Sequence, residues 1–359
     1  MPLPNRVIIA AAGSGKTTTL VQHAISRPNS KIALLTYTIN NLNEIKRKFY
    51  SLHGSIPRNV TVLSWFTFLL RECVRPYQNF VYDKHRIESI VFVNNRSAKY
   101  VKKTNVKKYY LSGRDIFSDK VSEFAILCNQ KSKGMVINRL SDMFDEIYID
   151  EVQDLAGYDL DLVELLLKSR MNLVLVGDNR QATYATNSSA KNNKYRGFKI
   201  DELFTMWEKK GLCQKEYILD SYRCNQLVCN LADDLYPEMP GTISKNTEVT
   251  GHDGVFLVAE ESLDEYISKY SPTVLRYDRR TDCRGYDAKN FGDSKGLTFD
   301  RVLIFPNGPI KKYLATGDPE CVKRSRAKFY VAITRAKYSV AFVYSGQCKN
   351  RHVSPFPAT

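Results

Sequence analysis

The chain has 359 residues, of which 43% are hydrophobic and 25% are charged. This is the composition of an ordinary globular protein with room for two domains. Its apolar runs have the length of strands and fall far short of the roughly 18 residues that a membrane span needs. The first residues lack the successive parts of a secretory signal, so we expect the chain to stay in the cytoplasm. The eight cysteines form no Cys-x-x-Cys pair, and no cysteine-based metal site is predicted.

Positive charge is concentrated in the first part of the chain. The formal net charge is +15, and residues 1–200 carry 30 Lys and Arg against 17 Asp and Glu, which is +13. Residues 201–359 carry 23 against 21, which is +2. A surplus held in one half is typical of a protein that binds a polyanion there. A basic surface that serves only solubility explains the charge equally well.

Short apolar runs predict the fold class. They are rich in Val, Ile and Leu, do not alternate with polar residues, and occupy residues 7–9, 32–35, 147–149, 173–176, 302–305 and 340–343. Strands that are apolar on both faces belong to parallel sheets covered by helices. Helical patterns, for example at 42–50 and 160–167, separate several of them. We therefore predict an α/β fold with two parallel-sheet domains, at residues 1–200 and 201–359.

The first predicted strand is followed by a phosphate-binding pattern, AAAGSGKT, at residues 10–17. Small residues let backbone N–H groups face phosphates, and the next helix adds the positive end of its dipole. Lys16 is expected to reach the β and γ phosphates of a nucleotide, and Thr17 to bind Mg²⁺. The pattern predicts a P-loop NTPase.

A basic segment at residues 71–140 interrupts the alternation of strands and helices. It holds 15 Lys and Arg against 6 Asp and Glu, including Arg96, Lys99, Lys102 and Lys103, with Tyr100, Tyr109 and Tyr110 among them. Cations interleaved with aromatic rings suit a phosphate backbone with bases stacked on the rings. A solvated basic insertion with packed tyrosines is the alternative reading.

The run YIDEVQD at residues 148–154 supplies the carboxylates that a phosphate loop requires. Asp150, at the end of a buried strand, is expected to hold Mg²⁺, and Glu151 to accept the proton of the attacking water. The next strand ends near Gln181, whose amide could sense a γ-phosphate. Arg223 and Arg335 each stand beside an aromatic or apolar run, from which a guanidinium could stabilise transition-state charge.

Seven stretches in this order resemble the UvrD/Rep-like superfamily 1 helicases. They are AAAGSGKT (10–17), LLTYTINN (34–41), YIDEVQD (148–154), LVGDNRQATY (175–184), SYRCN (221–225), SKGLTFD (294–300) and YVAITRA (330–336). The resemblance implies two RecA-like domains with the ATP site in the cleft between them and single-stranded DNA crossing both. It also implies ATP and Mg²⁺ as cofactors and movement from 3′ to 5′ along DNA.

The resemblance assigns roles to matching positions. Catalysis is assigned to Lys16, Asp150, Glu151, Gln181, Arg223 and Arg335, with Thr17 and Asp150 on the metal. Nucleotide contacts are assigned to Ala12, Gly13, Ser14, Gly15, Lys16, Thr17, Thr18, Tyr222 and Gly296. Nucleic-acid contacts are predicted for Tyr37, Asn40, Trp65, Tyr184, Lys102 and Lys103.

The chain also departs from the family pattern. Thr186 stands where relatives often have a base-stacking tryptophan, and the large insertion of the second domain is missing between Arg276 and Ser294. The result is a compact form of the helicase. The leading hypothesis is an ATP-dependent helicase or translocase on single-stranded DNA, with RNA left open. The alternative is an ATP-switched nucleic-acid clamp that does not unwind and recruits a protein such as a nuclease.

Overall fold

The computed structural model describes residues 5–183, 186–187 and 189–356. The chain divides into two compact units. The first contains the chain up to Ile9 together with Lys16–Tyr217, and the second contains Ala10–Gly15 together with the chain from Ile218 onward. Within the described ranges, none of the helices combines the length and apolarity that crossing a bilayer requires.

The first unit is built on a six-stranded sheet with a small three-stranded sheet beside it. Its strands are β1 (Arg6–Ala10), β2 (Ile32–Thr36), β3 (Val60–Ser64), β4 (Ile90–Val91), β5 (Leu111–Ser112), β6 (Asp115–Phe117), β7 (Glu146–Asp150), β8 (Asn172–Gly177) and β9 (Gln214–Ile218). The large sheet has the order β3-β2-β7-β8-β1-β9, and its pairs from β3 to β1 are parallel. All five residues of β2 and of β7 are buried, as expected for strands covered on both faces.

Eight helices belong to the first unit as described. They are α1 (Lys16–Ile25), α2 (Ile39–His53), α3 (Trp65–Phe68), α4 (Val106–Tyr110), α5 (Val121–Lys131), α6 (Met135–Met143), α7 (Tyr158–Leu167) and α8 (Ile200–Lys209). The sequence sets the ends of α2 clearly. Thr38 accepts a hydrogen bond from the backbone N–H of Asn41 at 3.1 Å, and Gly54 ends the helix with a φ of 77°.

The basic segment forms a substructure of its own between β3 and β7. It contains a π-helix at Leu69–Val74, the small sheet of order β4-β6-β5, and α4 to α6. In that sheet β4 pairs with β6 in parallel and β5 pairs with β6 antiparallel. The strands have only two or three residues each. A segment of that length is too short to show the apolar periodicity that predicts a strand.

The second unit is built on another six-stranded sheet, whose pairs are all parallel, with the order β14-β13-β15-β16-β12-β17. The strands of the unit are β10 (Asp220–Ser221), β11 (Ile243–Ser244), β12 (Gly254–Val258), β13 (Thr273–Arg276), β14 (Lys289–Asn290), β15 (Phe299–Phe305), β16 (Ala336–Val343) and β17 (Ser354–Pro355). Its helices are α9 (Gln226–Asp233), α10 (Leu263–Tyr270), α11 (Gly308–Thr316) and α12 (Arg326–Ile333). The predicted α/β class with two parallel sheets is confirmed.

One core cluster of the second unit lies between its sheet and α10. The cluster includes Val258, Tyr266, Leu303 and Val343, all at most 6% exposed. Beside it, His252 is stacked between Phe256 and Tyr270, with ring centroids 4.2 and 3.7 Å away. Aromatic stacking therefore adds to the burial of aliphatic side chains on this face of the sheet.

Candidate functional site

The loop between β1 and α1 has a backbone conformation that favours glycine at two positions. Gly13 and Gly15 have φ values of 77° and 79°, in the left-handed region that favours glycine. A Cβ on Gly13 would lie 2.5 Å from the Cβ of Arg223. The buried hydroxyl of Ser14 has no hydrogen-bond partner among the described residues. A tight glycine loop with an unused buried hydroxyl fits the phosphate-binding role predicted from the sequence.

Within the second unit, this loop is tied to the chain that follows β10. The Ser221 hydroxyl donates to the backbone oxygen of Ala12 at 2.7 Å, and the Tyr222 N–H donates to that of Gly13 at 3.0 Å. The Tyr222 side chain is 66% exposed. The structure therefore places Ala12 and Gly13 against Ser221, Tyr222 and Arg223 within the second unit.

Arg223 and Arg335, the two predicted arginines, both donate to backbone carbonyls of the second unit. Arg223 donates through Nη1 to the Thr334 carbonyl at 3.1 Å. Arg335 is 2% exposed, and its Nη1 donates to the carbonyl of Leu297 at 3.2 Å. Gly296, just before Leu297, has a φ of 87°. Backbone carbonyls thus hold both guanidinium groups, and Gly296 lies beside the second of them.

In the first unit, the start of α1 meets the end of β7. The Thr17 hydroxyl donates to Asp150 Oδ2 at 3.0 Å, and the Glu151 N–H donates to Asp150 Oδ1 at 3.0 Å. Burial and the charge of Glu151 raise the pKa of Asp150 to about 7, against the opposing effects of Lys16 and Thr17. Thr18 follows in α1 and is half-buried. This buried carboxylate beside a hydroxyl has the donor atoms that Mg²⁺ prefers.

A metal at this position would depend on ligands beyond the protein. Across residues 5–183, 186–187 and 189–356, no group of three or more His, Cys, Asp or Glu side chains is placed to hold a metal ion. Mg²⁺ usually keeps several waters and takes one or two carboxylates together with substrate phosphates. The pair Thr17 and Asp150 fits that mode of binding.

Glu151 and Gln181 are linked through a residue that the sequence reasoning missed. Glu151 has a φ of 59°, which is uncommon for a side chain larger than glycine. Gln153 donates to the Glu151 carboxylate and accepts from the Asp178 N–H at 3.1 Å. Gln181 donates to Asp178 Oδ2 at 2.9 Å. Gln153 therefore connects the predicted general base with the predicted γ-phosphate sensor.

A signal for Gln153 was present in the sequence. A Cβ on Gly177, the last residue of β8, would lie 2.2 Å from Gln153 Oε1. A glycine that ends a buried strand marks a close approach by another group. Together with the position of Gln153 inside YIDEVQD, this glycine could have identified the contact.

The predicted nucleic-acid residues near β2 and β3 are placed differently from one another. Asn40 is exposed in the first turn of α2, and Tyr37 is half-buried with its ring 5.8 Å from that of Phe66. Trp65 is 1% exposed and donates through Nε1 to Asp159 Oδ1 at 3.1 Å. The Trp65 ring therefore faces the protein rather than solvent. Tyr184 lies outside the described residues.

The two predicted lysines of the basic segment have different surroundings. Lys102 is exposed, whereas Lys103 donates to the Glu123 carboxylate and to the Tyr158 hydroxyl. Tyr109 and Tyr110, which the sequence pattern grouped with the cations, are 3% and 2% exposed. These two rings pack in the protein because α4 turns them toward the interior, so they offer no face to a base.

Sequence comparisons match the chain to helicases. Residues 71–199 match the family model of the UvrD/REP helicase N-terminal domain. The Gabija protein GajB of Bacillus cereus is 24% identical over 257 residues, which are 68% of this chain and 49% of GajB. A probable DNA helicase II homolog of Mycoplasma genitalium is 30% identical over 112 residues, which are 30% of this chain and 14% of that protein. These matches support a UvrD-like helicase.

The chain spans about half the length of GajB and a smaller part of the mycoplasma protein. Among solved structures, the helicase nonstructural protein 10 of an arterivirus aligns with 95% of this chain and 59% of its own, at 14% identity and a TM-score of 0.49. Its complex with DNA aligns with 95% of this chain and 61% of its own, at 15% identity and a TM-score of 0.47.

Proposed function

We propose that the chain is an ATP-dependent DNA helicase or translocase that moves 3′ to 5′ on single-stranded DNA and couples ATP hydrolysis to strand separation. The observation that carries the proposal is the hydrogen bond between Thr17 and Asp150. It joins the phosphate loop to a buried strand-end carboxylate 133 residues further along the chain. The helicase family match and the two parallel sheets support the same function.

The first-unit residues provide the chemistry of hydrolysis. Lys16 would bind the β and γ phosphates of ATP, and Thr17 with Asp150 would hold Mg²⁺. Bound Mg²⁺ neutralises charge on the phosphates. Glu151 would orient the attacking water and accept its proton, with its carboxylate positioned by Gln153.

The remaining catalytic residues would respond to the γ-phosphate. Arg223 and Arg335 would stabilise the charge that spreads over the transferred phosphoryl group, as arginines do in related chemistry. Gln181, which is hydrogen-bonded to Asp178, would couple binding of the γ-phosphate to binding of DNA. On the nucleic-acid side, Tyr37 would face a base, and Asn40 with Lys102 would contact the backbone.

The test is the rate of ATP hydrolysis with and without single-stranded DNA. We expect DNA to raise the rate strongly in the wild-type protein and Lys16→Ala and Glu151→Gln to abolish it. Lys31→Ala, a change at an exposed lysine ahead of β2, is the matched control and should leave the rate unchanged. A rate that is the same with and without nucleic acid would remove the motor function.

A second candidate is an ATP-switched nucleic-acid clamp that recruits a protein such as a nuclease and does not unwind. The small size of the second unit favours it. Between Arg276 and Ser294 the described chain forms only β14 and a short 3₁₀ turn, with no inserted domain. Strand displacement on tailed duplexes separates the two candidates. A helicase displaces the strand from a 3′-tailed duplex and not from a 5′-tailed one, whereas a clamp displaces neither.

A further inference from the structure

We propose that Phe92 and Tyr100, with the exposed cations Arg96, Lys99 and Lys102, form a stacking surface for single-stranded DNA that continues from the Tyr37–Phe66 ring pair. The inference rests on the proposed function and deepens it, because it extends the DNA path onto the basic segment. Neither the family match nor the motifs assign Phe92 any role. Three observations carry the proposal. Aromatic rings contact one another from Tyr37 to Phe92, hydrogen bonds fix the loop after Phe92, and exposed cations in that loop have no salt bridge among the described residues.

The rings form a continuous series from β2 to the basic segment. The Tyr37 and Phe66 centroids are 5.8 Å apart, and those of Phe66 and Phe92 are 5.1 Å apart and perpendicular. Phe66 is 6% exposed, whereas Phe92 is 69% exposed. Phe66 therefore supports Phe92 by an edge contact and leaves a ring face open. An open aromatic face held in place is what an unpaired base stacks on.

The loop that follows Phe92 is fastened at two positions, Val93 and Ser97. The Val93 N–H donates to the Ser118 hydroxyl at 3.1 Å. The Ser97 N–H and hydroxyl donate to the Asp119 carboxylate at 3.0 and 2.6 Å, and Asp119 is 2% exposed. These bonds fix the backbone beneath an exposed phenylalanine. A ring held this way loses little conformational entropy when it binds, which favours a binding role.

Three cations of the loop have no salt-bridge partner among the described residues. Residues 92–110 contain six Lys and Arg and no Asp or Glu. Arg96, Lys99 and Lys102 are exposed, and none of the three has a salt bridge within the described ranges. Other cations of the segment are paired with carboxylates, for example Lys103 with Glu123 and Arg139 with Glu72. The unpaired cations are therefore free to bind phosphates.

Tyr100 is a second exposed ring of the same loop. Its side chain is 99% exposed, and it stands between Lys99 and Lys102 in the sequence. A positive loop with alternating exposed rings matches a single strand, whose phosphates and unstacked bases alternate in the same way. A duplex offers phosphates but no free base faces, so the rings select single-stranded DNA.

The experiment compares Phe92→Ala with Tyr50→Ala in the full chain. Tyr50 is 58% exposed on α2 and is not part of the ring series, so it controls for loss of an exposed ring. Fluorescence anisotropy measures binding to an oligo-dT strand, to an abasic strand of equal length, and to a blunt duplex. We expect Phe92→Ala to weaken oligo-dT binding by roughly 5- to 100-fold, with little change on the other two. Tyr50→Ala should bind all three like the wild type.

Two further variants sharpen the result. Phe92→Trp should restore binding because it keeps a stacking face. Lys99→Ala with Lys102→Ala should lower the slope of log affinity against log salt by about 1.4, since each phosphate contact on a single strand contributes about 0.7. Unchanged melting of Phe92→Ala will show that a loss of binding is not a loss of folding.

Wild-type affinity of Phe92→Ala for oligo-dT would overturn the inference, as would an equal loss on the abasic strand or the duplex. These outcomes leave the proposed function intact when the wild-type ATPase still responds to DNA. Failure of the wild-type protein to bind single-stranded DNA at all would instead count against the proposed function and the inference together.

Discussion

At the scale of single residues, Gln153 links Glu151, the predicted general base, to the chain that follows β8. It holds the Glu151 carboxylate with its amide nitrogen and the Asp178 N–H with its amide oxygen. Both partners belong to segments that the proposed mechanism uses. Losing this side chain would release the Glu151 carboxylate and leave a buried N–H unsatisfied.

We therefore expect Gln153→Ala to lower kcat for ATP hydrolysis by about ten- to a hundredfold, because displacing a catalytic group by about 1 Å has an effect of that size. The KM for ATP should change less than kcat. Gln130→Ala, at an exposed glutamine in α5, is the control. An unchanged kcat in Gln153→Ala would show that Glu151 does not need this contact.

Asp159 is the second residue with a structural role of this kind. Its buried carboxylate accepts hydrogen bonds from Trp65, Ser122 and Thr186, which lie far apart in the sequence. Burial raises its pKa, while these three bonds act in the opposite direction. Thr186 also donates its backbone N–H to the carbonyl of Asp154. The residue that stands where relatives have tryptophan thus ties the chain after Gln181 to α7.

Asp159→Ala should lower the free energy of unfolding by about 3 kcal/mol, because it leaves three buried donors without an acceptor. Asp142→Ala is the comparison, since Asp142 is an exposed partner of Arg170 and its loss should change stability by about 0.5 kcal/mol or less. Denaturant unfolding followed by circular dichroism measures both. Equal stability of the two variants would contradict the role given to Asp159.

The sequence identified residues at strand ends better than it identified exposed rings. Asp150 and Thr17 could be placed because a strand pattern and a glycine loop fix their positions by rule. Trp65 and Phe92 could not be told apart, since both are aromatic residues just after short strands. Which ring is buried depends on Asp159 and Phe66, contacts between segments distant in sequence that no local pattern contains.

At the scale of elements, the stacked histidine beside β12 makes the second unit sensitive to acid. Burial and the charge of Arg301 lower the pKa of His252 to about 4, although Asp253 acts in the opposite direction. Its Nε2 shares a hydrogen bond of 2.9 Å with the Tyr266 hydroxyl. The folded protein therefore holds this histidine neutral at a pH where the unfolded chain would protonate it.

The pKa of His252 is lower in the folded protein than in the unfolded chain, where it is about 6.5. The contribution of His252 to stability is therefore complete above about pH 6.5 and is lost as the pH falls toward 4. We expect His252→Phe, which keeps the stacking, to lose less melting temperature than the wild type between pH 6.5 and 4. His53→Gln, at an exposed histidine that ends α2, should follow the wild type. Parallel curves for wild type and His252→Phe would show that His252 does not cause the acid sensitivity.

The long elements could be predicted from the sequence and the short ones could not. The apolar runs at 32–35 and 173–176 became β2 and β8 within about two residues, because buried parallel strands have a continuous apolar signature. The sheet of β4, β5 and β6 carries no such signature. Its strands form through backbone pairing and through side chains such as Ser118, which hold the loop after β4.

At the scale of the whole molecule, the structure shows which of the positive charges in the first half are paired with carboxylates. Much of the first-half surplus lies in one segment, and that segment uses part of its positive charge internally, on Glu72 and Glu123. Arg96, Lys99 and Lys102, which follow Phe92 in the chain, are exposed and have no salt bridge among the described residues. Net charge alone could not distinguish these two groups, because pairing depends on the tertiary fold.

DNA affinity of the whole protein should therefore fall steeply with salt, since exposed cations that contact phosphates release counterions on binding. A titration of oligo-dT binding from about 50 to 200 mM salt measures this dependence. An affinity that stays flat over that range would contradict a DNA contact made by the basic segment.

We expect nucleic acid to control ATP hydrolysis by this chain. The most direct measurement compares the ATPase rate of the purified protein without nucleic acid, with single-stranded DNA, with duplex DNA and with RNA, each with Lys16→Ala as the blank. We predict a strong increase with single-stranded DNA and a much smaller one with blunt duplex, whose bases offer no free faces to the rings. A rate that is the same in all four conditions would contradict the claim.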